Sequence, residues 1–392
     1  MITTTASRNL EEVIEECRTI FDIPGIEPAV AWKHAERGRK LIGCFPVYTP
    51  VEIFHAAGAL PVGLAGGGNR LEIVHSDSRF QSFVCSIIKS TLEQGMTGML
   101  DEIDGMVFHS ICDSARNLAS VYTRNFPNTP VEYLHYPQNF ALPEAAMHLR
   151  SEYERLATFA ASITGTTVTP GRLKESLSLY NRIRRLIRLL YGLRAERPHA
   201  IRTSELYSLV RVGNLTPPER HAEILVEALA AIERREGKSR DRLRILIVGS
   251  FCEQPPIDLI SAVEDAGCYV VDDDFLIGRR WLIGDVDTGV SDPLLALADG
   301  YRNQSVASPV KHDLRVSQSQ MLIDRARRLN ADAVIVLCAK FCEPALFAYP
   351  LYRRALQAAG IPNLFLEFEE KMWMFDRVKN EIETFVESML FA

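Results

Sequence analysis

Three cysteines are the residues most able to do chemistry: Cys85, Cys112 and Cys342. Cys112 and Cys342 fall on predicted loops, each followed by an acidic residue, Asp113 and Glu343. Cys85 opens a predicted helix, where free backbone amides favour a thiolate. Three such thiolates could hold a [4Fe–4S] cluster with one iron left open, or a zinc ion with one open position. They lie too far apart in the chain to form a local motif, so the fold has to bring them together. Of the other five, Cys17 and Cys268 sit on apolar faces and Cys338 at the end of a strand, which makes them core residues. Cys44 and Cys252, at strand ends before Phe or Glu, fit either role.

The elements that must position these thiols alternate between strand and helix. Helices are predicted over 8–21, 28–37, 50–57, 79–94 and 114–122, and strands over 40–45, 60–64, 105–109 and 131–134. Asp113 is the expected cap of the helix from 114. Residues 143–236 read as almost wholly helical, and the many arginines there as a solvated face. Strands follow at 243–248, 268–272, 333–337 and 363–367, with helices at 258–266, 318–329, 346–359 and 371–390.

The second half repeats the first. Ala56-Ala-Gly-Ala-Leu-Pro-Val62 parallels Glu264-Asp-Ala-Gly-Cys-Tyr-Val270, and Asp104-Gly-Met-Val-Phe108 parallels Asp332-Ala-Val-Ile-Val336. Thr129-Pro-Val-Glu-Tyr-Leu134 likewise parallels Ile361-Pro-Asn-Leu-Phe-Leu366. Strands joined by helices imply parallel sheets with right-handed crossovers. The expected fold is therefore α/β: two similar domains, each with a four-stranded parallel sheet, plus N-terminal and interdomain helices. The expected divisions are N-terminal helices over 1–39, a first domain over 40–165, a helical connector over 166–240 and a second domain over 241–392. In this register Cys112 and Cys342 occupy the same loop, beyond the third strand of each domain, and could meet across an interdomain cleft.

A chain of 392 residues, 47% hydrophobic and 24% charged, is an ordinary globular protein long enough for two domains. Its net charge of −6 gives no reason to expect nucleic acid or an anionic membrane surface. No apolar run approaches the roughly 18 residues of a membrane span. Residues 1–7 lack the basic and apolar regions of a secretory signal, so a reducing, cytoplasmic setting is expected. No Gly-x-x-x-x-Gly-Lys-Ser/Thr or Gly-x-Gly-x-x-Gly loop is present, so ATP hydrolysis and dinucleotide binding are not expected of this chain.

Several segments, in order, resemble the benzoyl-CoA reductase and 2-hydroxyacyl-CoA dehydratase family. They are Phe45-Pro-Val-Tyr-Thr-Pro-Val-Glu-Ile-Phe-His-Ala-Ala-Gly-Ala-Leu-Pro-Val62, Phe83-Val-Cys-Ser86 and Ile111-Cys-Asp-Ser-Ala-Arg-Asn-Leu118. Tyr136-Pro-Gln-Asn139, Lys340-Phe-Cys-Glu-Pro344 and Phe365-Leu-Glu-Phe-Glu-Glu370 continue the series, so that the resemblance covers nearly the whole chain. It implies two Rossmann- or flavodoxin-like domains and one [4Fe–4S] cluster held by Cys85, Cys112 and Cys342. It also implies pairing with a homologous larger substrate-side subunit, electrons from an ATP-hydrolysing iron–sulfur activator, and an acyl-CoA substrate close to a cluster. Arg124-Asn-Phe-Pro127 and Glu369-Glu-Lys-Met-Trp-Met-Phe375 look most like the smaller substrate-side subunit of the ATP-dependent reductases, whose substrate is benzoyl-CoA. The dehydratase branch, a subunit that only transfers electrons or acts as scaffold, and a zinc protein are the alternatives. Candidate proton donors are His109 and His135, at predicted strand ends, and Glu52, which matches the family's Pro-x-Glu. Arg279 and Arg280 read first as a solvated pair, with contact to the CoA phosphates as the alternative.

Overall fold

Apolar runs such as Leu243-Arg-Ile-Leu-Ile-Val248 read as strands covered on both faces, the pattern of a parallel sheet. The computed structural model contains two such sheets and describes residues 8–369, 372 and 375–390. The chain opens with α1 (Leu10–Phe21) and α2 (Glu27–His34). The first α/β unit follows: β1 (Lys40–Cys44), α3 (Val51–Ala56), β2 (Ala59–Gly63), α4 (Ser86–Met96), β3 (Gly105–His109), α5 (Asp113–Asn125) and β4 (Val131–Leu134). Four helices come next: α6 (Glu144–Thr164), α7 (Pro170–Glu196), α8 (Thr203–Arg211) and α9 (Pro218–Arg234). The second unit comprises β5 (Leu243–Val248), α10 (Ile257–Asp265), β6 (Cys268–Asp273), α11 (Pro293–Gln304), α12 (Gln318–Arg328), β7 (Ala333–Ala339), α13 (Glu343–Ala358), β8 (Asn363–Phe368) and α14 (Asp376–Leu390). The sheets have the same parallel order, β2-β1-β3-β4 and β6-β5-β7-β8, so the repeat inferred from sequence is present in the topology. Among the described residues no helix is long and apolar enough to cross a membrane.

Local sequence sets the helix ends. Asn9 and Glu12 form a capping box at α1, with reciprocal bonds of 2.8 and 3.0 Å. Thr169 caps α7 with Pro170 in its first turn, and Gly165 ends α6 in the left-handed conformation.

Four expectations change. No element is expected between 272 and 318, yet α11 lies there, capped by Asp292 with Pro293 in its first turn. That start signal is legible in the sequence. The cap of α5 is Cys112, not Asp113, which is the first helical residue. The arginines of α7 divide: Arg185 and Arg188 are exposed and pair with Asp285, while Arg184 and Arg194 are buried against Glu52 and Asp273. The expected final helix from 371 begins at 376, and residues 370, 371, 373 and 374 of the closing motif lie outside the described residues.

An aromatic cluster joins the two units. Tyr48, Tyr136 and Phe140 pack on Trp281 and Tyr301, with ring centroids 5.0 to 6.3 Å apart. The Tyr136 hydroxyl donates to the Tyr48 carbonyl, and the Tyr48 hydroxyl bonds Ser308. Val47 and Tyr48 hold positive φ angles of 76° and 60°, a conformation that costs about 1–3 kcal/mol per residue and persists where packing fixes it. Gly278 closes on this loop: a Cβ there would stand 2.7 Å from the Val47 amide nitrogen, so only glycine lets the segments approach so closely. This junction holds the carboxyl ends of the two sheets in a fixed relation.

Candidate functional site

Cys85, Cys112 and Cys342 line one small cavity between the units. Each directly precedes a helix: Cys85 before α4, Cys112 before α5 and Cys342 before α13. The sequence places Cys85 inside the early turns of a helix from 79; that helix starts at Ser86, and residues 76–79 form a separate short turn. Cys342 is expected on a loop well ahead of a helix from 346, but α13 starts at Glu343. The carbonyl-to-amide polarity of all three helices therefore bears on the cavity. The Ala115 amide donates to the Cys112 sulfur at 3.4 Å. Phe341, with φ of 62°, turns the chain sharply from β7 into α13 and so sets Cys342 at the helix start.

Cys252 and Glu253 line the same cavity, along with Phe45, Ile87, Ile88, Ile111 and Phe251. The sequence leaves Cys252 open and does not single out Glu253. Both lie on a loop whose approach to α4 has no periodic signature; the cue available is a cysteine directly beyond a buried strand end. Cys17, Cys268 and Cys338 are buried core residues, as expected, and Cys44 joins them, its thiol 3.5 Å from the Ile42 carbonyl. All eight cysteines are free.

Burial pushes the four cavity thiols above the ordinary thiol range, Cys85 and Cys252 far above and Cys342 to about 12, and for these three Glu253 and neighbouring thiols add to it. Cys112 rises for the same first reason, offset by the amides of Ala115 and Ser114. Four thiols lining a largely apolar cavity stay protonated unless a cation draws the protons off, so this donor set suits a metal centre. Among the described residues, no three thiol, imidazole or carboxylate groups are grouped closely enough to hold a metal ion. A single zinc would need its thiolates about 4 Å apart, given Zn–S bonds of about 2.3 Å. A polynuclear cluster takes each thiolate on a different iron, and therefore suits donors spread around a cavity.

The candidate proton donors are not on that cavity wall. Glu52, in α3, is fully buried, and its carboxylate accepts from Arg184 Nη1 at 2.5 Å. His109 is fully buried at the end of β3 and its Nε2 donates to the Phe45 carbonyl at 3.0 Å. His135 is exposed, edge-on to Tyr133 with ring centroids 4.8 Å apart. Asp113 and Glu343 are exposed in the first turns of α5 and α13, where carboxylates favour the helix.

Burial lowers the His109 pKa to about 4, and does the same to His221, whose Nε2 donates to the Leu209 carbonyl at 2.9 Å. Both are neutral in the native protein, whereas the unfolded chain takes up protons below about pH 6.5. Their contribution to stability is full above that pH and is lost as pH falls towards 4, by about 3 kcal/mol for each residue. Urea midpoints should therefore drop as the pH is lowered from about 6.5 to 5, above the range where most carboxylates titrate. A flat profile there contradicts this reading.

A separate cavity of about 730 Å³ lies beside the carboxyl end of β6, and Arg279 and Arg280 are on its wall. Arg280 pairs with Asp273 at 3.2 Å, and Arg279 Nε donates to Asn214 at 2.6 Å.

The sequence model of the 2-hydroxyglutaryl-CoA dehydratase D-component family matches residues 46–389. One of the subunits of benzoyl-CoA reductase from Thauera aromatica is 35% identical over 379 residues, covering 96% of this chain and 98% of that protein. The beta subunit of lactoyl-CoA dehydratase from Anaerotignum propionicum is 26% identical, covering 91% and 93%. The beta subunit of (R)-2-hydroxyglutaryl-CoA dehydratase from Acidaminococcus fermentans is 25% identical, covering 97% and 100%.

Proposed function

The chain belongs to the 2-hydroxyglutaryl-CoA dehydratase D-component family, and on that premise we propose that it is the iron–sulfur subunit of an ATP-dependent benzoyl-CoA reductase. Its enzyme reduces the aromatic ring of benzoyl-CoA to a cyclic dienoyl-CoA. Cys85, Cys112 and Cys342 are the ligands of a [4Fe–4S] cluster. The observation that carries the proposal is the convergence of these three thiols, from three separate helix starts, on one cavity. The higher identity to a reductase subunit, 35% against 26% and 25% for dehydratase subunits, favours reduction over water elimination.

Bound there, the cluster supplies single electrons of low potential. The chain's own residues make that possible in three ways. Phe45, Phe251, Ile87, Ile88 and Ile111 keep the cavity apolar, and Glu253 and Glu343 place carboxylates on its wall. Both features disfavour added negative charge, which makes a reduced centre strongly reducing. The aromatic junction fixes Cys342 in the second unit relative to Cys85 and Cys112 in the first. Glu52 and His109 serve as positioning residues, the first holding α3 to α7 and the second holding the Phe45 segment. His135, exposed to solvent, remains the candidate proton donor. The larger homologous subunit and an ATP-hydrolysing iron–sulfur activator complete the enzyme, in the cytoplasm.

An anaerobic assay with those partners, ATP and benzoyl-CoA tests the proposal. Net dienoyl-CoA formation with stoichiometric ATP consumption is expected. Dehydration of a 2-hydroxyacyl-CoA to an enoyl-CoA, with no dienoyl-CoA from benzoyl-CoA, would assign the chain to the dehydratase branch instead.

A further inference from the structure

We infer that Cys252 is a fourth thiolate ligand, so that the centre in this chain is held by two cysteines from each α/β unit and has no open iron. The inference rests on the cluster reading and sharpens it. Cys252 lines the same cavity as Cys85, Cys112 and Cys342, and Glu253 beside it lines that cavity too.

The loop that carries Cys252 is fastened on three sides. Gly249, at φ of 112°, lies so close to β7 that a Cβ would come within 2.8 Å of the Leu337 carbonyl oxygen. The Ser250 hydroxyl donates to that same carbonyl at 2.9 Å. Gln254 Nε2 donates to the carbonyls of Ser250 and Cys252 at 3.1 and 3.2 Å, while its Oε1 accepts from the Leu276 amide at 2.8 Å. Glu253 then reaches across to the first unit, where its carboxylate accepts from the Ile87 amide at 3.1 Å and from the Ser86 hydroxyl. The loop is thus tied to β7, the strand that leads to Cys342, and to α4, the helix that follows Cys85. A thiol held this firmly relative to two ligands is built into the site.

The cavity wall also has a pairwise correspondence between units. Cys112 and Cys342 follow the third strand of each, beside Ile111 and Phe341, and Phe45 and Phe251 follow the first. Cys85 adds a thiol from the first unit, and Cys252 adds one from the second. Ligation would need no redox partner: the Cys252 thiol would give its proton to solvent and its thiolate would hold the fourth iron, with no change of oxidation state. A centre ligated by four thiolates passes electrons without binding substrate. The acyl-CoA then meets a centre in the partner, and this chain relays electrons to it.

The test compares anaerobically prepared wild-type chain with Cys252→Ala and Cys252→Ser under mild ferricyanide oxidation. Metal and sulfide analysis is combined with electron paramagnetic resonance. The wild type should retain its iron, whereas Cys252→Ala should lose about one iron per cluster and develop a three-iron signal. Equal loss of iron from both proteins would overturn the inference. Should the variants fold poorly, the Mössbauer spectrum of the wild type decides. Four thiolate-ligated irons unchanged by benzoyl-CoA or cyanide support the inference, and a distinct iron that responds to either overturns it. A wild-type chain without iron would instead defeat the underlying cluster reading.

Discussion

Cys112→Ser, prepared without oxygen, is expected to lose most or all of its iron and acid-labile sulfide, and Cys85→Ser and Cys342→Ser should do the same. Each serine removes a soft, ionisable donor from a largely apolar cavity, and a serine alkoxide is far harder to form there than a thiolate. The controls are Cys17→Ser and Cys268→Ser. Both sulfurs are fully buried in the core, outside the cavity, so these variants should keep the cluster at some cost in stability. The visible charge-transfer absorption of the anaerobic proteins separates the two groups directly. An intact cluster after Cys342→Ser would break the ligand assignment.

The second large effect is on folding. Glu52 and Arg184 form an ion pair with side-chain exposures of 0% and 7%, joining α3 to α7. Arg184 Nη2 also donates to Asn181 Oδ1 at 2.7 Å, and Asn181 exchanges bonds with the backbone of Val286 at 2.8 and 2.9 Å. Removing one partner of such a pair leaves a buried charge uncompensated, so Glu52→Ala should cost about 3–5 kcal/mol. Replacing both, as Glu52→Gln with Arg184→Met, should cost much less, because no lone charge remains. Denaturant unfolding of the three proteins measures this. A Glu52→Ala protein with wild-type stability and lost activity would return Glu52 to the role of proton donor.

Much of this architecture is legible in the chain. The strands at 105–109, 131–134 and 243–248 are found with the bounds expected, because each is a short, mainly apolar run flanked by polar or turn residues. The matching of Asp104–Phe108 with Asp332–Val336 puts Cys112 and Cys342 at equivalent positions, and the two sheets share that order. What stays hidden depends on contacts between distant segments. Whether an arginine of α7 faces solvent or Glu52 is not a property of its helix face alone, because Glu52 lies 132 residues away. The approach of the Cys252 loop to α4 depends on Glu253 bonding Ser86 and Ile87 across the interface, and no spacing rule encodes that. The cap of α5 falls one position before the expected aspartate because a cysteine sulfur takes the capping role there, which is uncommon.

The central claim is that the thiols meeting between the two units exist to hold an iron–sulfur cluster. Iron, zinc and acid-labile sulfide determined together on the wild-type chain, purified without oxygen, test it most directly. About four irons and four sulfides per chain are expected. Stoichiometric zinc with neither iron nor sulfide would contradict it.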